Sequence, residues 1–224
     1  MQPRPEWLEP SNRYGWHAVL RNVLPLLLLL ASAPWLANLS TLAPWLLMPL
    51  IGLFLYRITV VMHDCTHQTL FASRRLNVIM GLLLGGFSGV DFNSFCRQHW
   101  RHHRSYGRAG DPQGFQYAEL GRMTRRELRW HVMKPLLGAN LRHVFAESIL
   151  APRNFIRLLR TGEIMNVAPP QLLMAALVTG FGGHPWLALL PYLSGATFAL
   201  FFSQLRGMAE HGSLDTDSYQ VRSH

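Results

Sequence analysis

A chain of 224 residues with 21 Lys and Arg against 12 Asp and Glu carries a formal net charge of +9, and it is 49% hydrophobic and 15% charged. That length suits one domain over residues 1–224, and two cysteines, Cys65 and Cys96, exclude a disulfide framework. The charge is unevenly spread: residues 97–160 hold thirteen basic and four acidic side chains, and the remainder holds eight of each, so the whole excess lies in one stretch.

Residues 1–21 form a mildly basic lead whose Trp7, Tyr14 and Trp16 suit a membrane interface. Residues 22–56 then contain no Lys, Arg, Asp or Glu, and residues 164–205 contain none either. About 20 apolar residues cross a bilayer, so each run has room for two crossings joined by a turn. The breaks fall at Asn38-Leu39-Ser40-Thr41 and at Gly180-Phe181-Gly182-Gly183-His184-Pro185. Four spans are therefore expected, near residues 22–38, 43–62, 167–181 and 186–205. Residues 26–30 are leucine throughout. A soluble core helix would show a polar face at a period of 3.6, and this segment has none. Ala31-Ser32-Ala33 imitates a signal-peptide cleavage site, but Pro34 follows it and the apolar run continues.

Between the second and third spans the chain is basic. Short basic loops mark the cytoplasmic side, and anionic headgroups attract them. Arg4, Arg13 and Arg21 put the N-terminus on that side, and Arg206 returns the last span to it. Membrane segments flank the basic stretch, so no nucleic-acid partner is expected. Residues 76–90 are apolar, with Gly81, Gly85, Gly86 and Gly89, and too short to cross, which predicts a half-buried or interfacial helix. Thr124-Arg125-Arg126-Glu127 has the form of a capping box, predicting a helix start there that Pro135 ends or kinks. The fold class expected is all-α: an integral membrane protein with four transmembrane helices and interfacial helices on the cytoplasmic side.

The chemistry lies in the histidines. His63-Asp64-Cys65-Thr66-His67 and His99-Trp100-Arg101-His102-His103 each follow an apolar stretch. On a helix, residues three and four apart share a face, so each cluster turns its imidazoles to one side. His211 follows the last span, and bundling of the spans would bring it near the other two groups. Neutral imidazole suits iron, zinc, copper and nickel. Six such donors exceed what one tetrahedral ion needs, implying two metals or one of higher coordination. Asp64, Asp111 and Glu210 are candidate acceptors for the remaining ring N–H groups. His17, His131, His143, His184 and His224 lie at interfaces, on amphipathic stretches, in a turn or at the terminus, and are not assigned to the site.

The two clusters, with Gly110-Asp111-Pro112 after them and Glu210-His211 after the last span, resemble the histidine boxes of the membrane fatty-acid desaturase and hydroxylase superfamily. The resemblance implies a di-iron centre held by His63, His67, His99, His102, His103 and His211 at the inner membrane surface. It implies activation of molecular oxygen with two electrons from a redox partner and removal of two hydrogens from a lipid acyl chain. Hydroxylation of a lipid or alkane shares the oxidant and is the alternative within the superfamily. No electron carrier is fused: Gly182-Gly183-His184-Pro185 has the letters of a haem-binding signature in the wrong order, so a separate ferredoxin- or cytochrome-type donor is expected. The family's third box, His-x-x-His-His, does not follow His211 before His224, so two or three of the family's ligands are missing. The expectation is a C-terminally incomplete domain, inactive as truncated, and the alternatives are an inactive relative or a second polypeptide that supplies the rest. A rival is a membrane zinc protease, since His63-Asp64-Cys65-Thr66-His67 has zincin spacing with Asp in place of Glu. That reading leaves the second cluster unexplained. A metal transporter would place ionisable residues at mid-membrane, where the charge-free runs have none.

Overall fold

The computed structural model describes residues 9–108, 110–180 and 184–211, the side chain of His143 excepted. Trp7, the turn at 181–183 and the polar tail 212–224 with His224 lie outside the described residues. Within them the chain is helical, with one isolated bridge between Val90 and Ser148 and no named strand.

Helix α1 (Asn12–Leu39) and helix α2 (Met48–Thr66) form a hairpin through a 3-10 turn at Ala43–Leu47. Helix α3 (Arg74–Ser88) packs between α2 and the later α8, and α4 (Phe92–Ser105) follows after Gly89 in the left-handed region. The basic stretch folds into short helices: α5 (Arg125–Met133), α6 (Leu141–Phe145) and α7 (Pro152–Thr161). Helix α8 (Ile164–Thr179) leads to a final segment that runs from a 3-10 turn at Pro185–Leu189 through α9 (Leu190–Ser194) and a π turn at Gly195–Ala199 into α10 (Leu200–His211).

Among the described residues three segments are long and apolar enough to cross a membrane: Asn12–Leu39, Ala43–Thr66 and Pro185–His211. They contain the expected spans at 22–38, 43–62 and 186–205. The expected third span coincides with α8, a shorter apolar helix of 16 residues. At 1.5 Å per residue it reaches about 24 Å, against about 30 Å of hydrocarbon. Pro169 and Pro170 lie in its second turn, where, having no N–H, they leave the carbonyls of Met165 and Asn166 without their usual helical donors, and the helix continues through them.

The two ends of the bundle differ chemically. At one end Trp45 stacks on Trp186 at 5.4 Å, bringing the 3-10 turns at Ala43–Leu47 and Pro185–Leu189 together. At the other, Trp16 meets Phe71 edge-on at 5.4 Å, and Asn77, fully buried, bonds the main chain of Phe71 and Ser73. The histidine clusters lie at this second end. The core between is continuous, with Leu26, Leu30, Ile51, Ile58, Met62 and Leu84 almost wholly buried. Leu28, Leu46 and Leu172 face outward at 68–80% exposure, so apolar surface coats the bundle where lipid would lie.

Helix α3 meets α8 closely because Gly86 has no side chain. A Cβ there would stand 2.8 Å from the Val167 carbonyl and 2.9 Å from the Pro170 ring. The expected half-buried helix at 76–90 is thus a packed layer of the bundle, exposing Val78 and Ile79 and burying Met80, Leu82 and Leu84. The capping box at Thr124 forms as expected, with Thr124 accepting from the Glu127 amide and Glu127 from the Thr124 amide. Replacing Gly86 with Leu should force α3 and α8 apart and destabilise the fold by about 1–3 kcal/mol. A lowered unfolding temperature of the purified protein in detergent, with Val78→Leu as an exposed control, is the check.

Candidate metal centre

Three segments deliver the six histidines. His63 lies in the last turn of α2 and His67 caps that helix. The chain leaves α2 through Gln68, whose φ of 60° is in the left-handed region, while the amides of His67, Gln68 and Thr69 donate back to His63, Cys65 and Asp64. This tight exit holds His67 over His63, with ring centroids 4.7 Å apart. His99, His102 and His103 occupy successive turns of α4, and His211 is the last residue of α10.

The rings meet. His99 lies 4.4 Å from His63, 4.8 Å from His67 and 4.4 Å from His103 between centroids. His102 stands 6.2 Å from His99 and 5.4 Å from His211. One group therefore gathers His63, His67, His99 and His103, and a second pairs His102 with His211. Nitrogen atoms of His63, His67 and His99 all lie within 4.8 Å of one another. Ligands about 2.1 Å from a shared ion sit about 3–4 Å apart, so the spacing suits one.

The hydrogen-bond count also suits a cation. The Nε2 atoms of His67 and His103 each lie 2.8 Å from Nε2 of His99. A neutral imidazole carries one N–H, and one nitrogen at the centre of three cannot pair well with both neighbours. Nδ1 of His63 and Nδ1 of His99 are buried without a partner among the described residues. Burial, and then the neighbouring imidazoles, lower the pKa of His67 and His103 and bring that of His99 down to about 2. These rings are uncharged at neutral pH and present lone pairs, which is the form that binds a metal.

Of the three expected acceptors, Asp111 takes the role. Its carboxylate, 1% exposed, accepts from Nδ1 of His102 at 2.8 Å. A carboxylate cannot donate, so the proton is on Nδ1 and the Nε2 lone pair of His102 faces the site. Burial alone would raise Asp111, but the bonds from His102, Tyr117 and the Gln113 amide outweigh it and hold the carboxyl below its usual range. Asp64 stands 3.6 Å from Nδ1 of His63, beyond hydrogen-bond reach, with its side chain 40% exposed, and Glu210 pairs with Arg206. Sequence reasoning missed two tyrosines. Tyr117 donates to the second oxygen of Asp111, and the Tyr106 hydroxyl bonds Nδ1 of His211 at 2.7 Å. Tyr106 stands four residues after His102, a spacing that could have flagged it; Tyr117 carried no signal.

The ends of α4 and α10 are fixed independently of the histidines. Asp91, fully buried, caps α4 by accepting from the Ser94 amide and is paired with Arg157 of α7, which also holds Glu163. Asn154 of α7 accepts from the Ser94 hydroxyl at 2.7 Å. Gln116 lies against Gly207 of α10, and the Gln204 side chain donates to the Gln116 carbonyl, clasping the Asp111 loop to the last helix. Of the other histidines with described side chains, His131 is buried against the Gln116 carbonyl, and His17 and His184 are exposed. Cys65 is buried and Cys96 donates to Thr66; both are free thiols that pack rather than face the rings.

A cavity of about 620 Å³ opens from the six histidines and runs between α2, α3, α8 and the Pro191–Leu200 stretch, walled by side chains such as Leu55, Val60, Phe87, Met174 and Leu200. Glu147 is on its wall, and burial pushes its carboxyl up to about 8. A folded-state pKa raised above the unfolded value of 4.5 means the folded form binds more protons between those values, so stability falls as pH rises through that window. Glu147→Gln should remove that fall. Thermal unfolding of the variant, measured from pH 5 to pH 9, should be flatter than wild type, with the largest gain at the alkaline end.

Residues 39–224 match the family model described as fatty acid desaturase, and the chain belongs to that family. It is similar to the chloroplastic omega-3 fatty acid desaturase of Glycine max, 29% identical over 146 residues, which is 61% of this chain and 30% of that protein. The chain thus spans under a third of the relative's length in this match. No solved structure matches it significantly.

Proposed function

We propose that this member of the fatty acid desaturase family is an oxidoreductase that uses molecular oxygen to remove two hydrogens from a lipid acyl chain, at two irons held by His63, His67, His99, His102, His103 and His211. One observation carries the reading: six imidazoles from three separate segments converge at the head of an apolar cavity. The zinc-protease reading of the first cluster is set aside, because His99 and His103 share its site and family membership points elsewhere.

Iron at this position would supply the oxidising power to break an unactivated C–H bond. In the balanced reaction two adjacent methylenes lose one hydrogen each, and dioxygen takes these with two electrons and two protons to leave two waters. The chain's own residues do the positioning. His67, His99 and His103 offer uncharged donors beside His63, and Asp111 fixes the tautomer of His102. Leu55, Val60 and Phe87 line a dry slot that aligns methylenes and keeps water from the oxidant. The histidine end and the N-terminus face the cytoplasm in this proposal, with α8 completing a fourth crossing. A separate ferredoxin- or cytochrome-type donor delivers electrons to the basic face.

Metal analysis of the purified chain tests the centre. About two irons per chain are expected from a donor set split into two groups, and His99→Ala, which removes the ring shared by the first group, should lower the count by at least half. Near-zero iron in a folded wild-type sample would overturn the proposal. Asp111→Ala should weaken iron binding 10–100-fold, read by competition with a chelator, roughly the effect of freeing a ligating histidine's outer partner. In cells supplied with a donor, lipid analysis should show new double bonds; hydroxylated chains instead would assign the chain to the hydroxylase branch.

A further inference from the structure

Away from the histidines, four arginines meet in a notch between α4 and α7. Arg97 comes from α4, and Arg153, Arg157 and Arg160 share one face of α7, with Asn154 and Thr161 completing the wall. Their charges are not balanced locally. Asp91 and Glu163 are both engaged by Arg157, and no carboxylate among the described residues forms an ion pair with Arg97, Arg153 or Arg160. Arg157 keeps its Nε buried without a partner among the described residues. The same helix exposes Phe155, Ile156 and Leu159 at 46–54% while anchoring Leu158 and Asn154 inside, so an apolar strip left exposed by the described residues runs beside the arginines. Helix α7 ends at Gly162, directly before the apolar helix α8.

From this juxtaposition we propose that the α4–α7 notch binds the phosphate of an anionic membrane lipid, whose acyl chains lie along Phe155, Ile156 and Leu159. Guanidinium groups match phosphate oxygens in pairs, and an amphipathic helix of this kind lies at the headgroup level with its apolar side in the acyl boundary. An acidic electron-donor protein would satisfy the charge alone. It would leave the apolar strip beside the arginines uncovered, and the lipid covers both. The site is distinct from the cavity that begins at the histidines, since the two share no lining residue. Because Arg157 also holds the cap of α4, a bound headgroup sits next to the anchor of the helix that carries three of the six histidines.

Native mass spectrometry of the intact chain in a zwitterionic detergent tests this. The sample is given equal amounts of phosphatidylglycerol and phosphatidylcholine with identical acyl chains. Phosphatidylglycerol should be retained in preference by roughly tenfold, as expected from several arginines acting near one headgroup. Arg153→Gln with Arg160→Gln, two exposed positions, should bring retention close to parity. Arg125→Gln with Arg129→Gln removes the same charge from exposed positions on α5 and should leave the preference intact. Millimolar inorganic phosphate should not displace the lipid. Equal retention in the wild type, equal losses in both double variants, or displacement by inorganic phosphate would each overturn the proposal. So would a double variant at 153 and 160 that loses affinity for an acidic ferredoxin while keeping its lipid preference, which would assign the notch to a protein.

Discussion

Several charged imidazoles buried side by side would repel one another and would have given up their hydration, which opposes the approach of α2 and α4. The contact between these helices at the histidine end therefore favours neutral rings. Burial depresses the pKa of His67, His99 and His103, and the mutual field of the rings reinforces it. With no carboxylate among His63, His67, His99 and His103 apart from the solvent-open Asp64, the cluster remains a set of lone pairs directed inward. A divalent cation is the complement that such a set lacks, and this makes the proposed centre a consequence of packing as much as of residue identity.

That packing is maintained from outside. Helix α4 is held at its start by the buried Asp91 carboxylate, which caps the helix and meets Arg157. A buried charge left alone is strongly destabilising, and removing one partner of such a pair commonly weakens a fold by about 3–5 kcal/mol. The hub thus fixes α4 lengthwise, and the clasp of Gln116 on Gly207 fixes the far side, where Asp111, Tyr106 and Tyr117 surround His102 and His211. These contacts together locate the imidazoles.

Much of this was legible in the sequence because it depends on local periodicity. The intervals in His63-Asp64-Cys65-Thr66-His67 and His99-Trp100-Arg101-His102-His103 define helix faces whatever the tertiary fold, and charge-free runs reveal apolar helices by length alone. Asp111 stood out by its place in Gly110-Asp111-Pro112, and Thr124 by its capping pattern. The pairing of Asp91 with Arg157 was not legible. It joins residues 66 positions apart, and neither has a local pattern to distinguish it from a solvated charge. Tyr117 was hidden for a similar reason, since its role exists only once the loop folds back on α4. Asp64 and Glu210 had the right composition and proximity in sequence, but their side chains turn to solvent and to Arg206. The end of α8 was legible as well: the break read at Gly180-Phe181-Gly182-Gly183-His184-Pro185 follows directly on Thr179, where the described helix stops.

The π turn at Gly195–Ala199 gives the last helix a phase that its length alone would not. Small residues let it lie against α2, where a Cβ on Gly52 would meet that of Phe198 at 2.4 Å. Each residue of an α-helix advances about 100° around the axis, and the wide turn absorbs one residue without that advance, so forcing the same residues into ordinary α geometry would swing everything downstream by about that angle. His211 would then point away from His102 and Tyr106. The widened turn acts as an angular spacer, and the orientation of the sixth imidazole is set there, at the far end of the helix that ends on it.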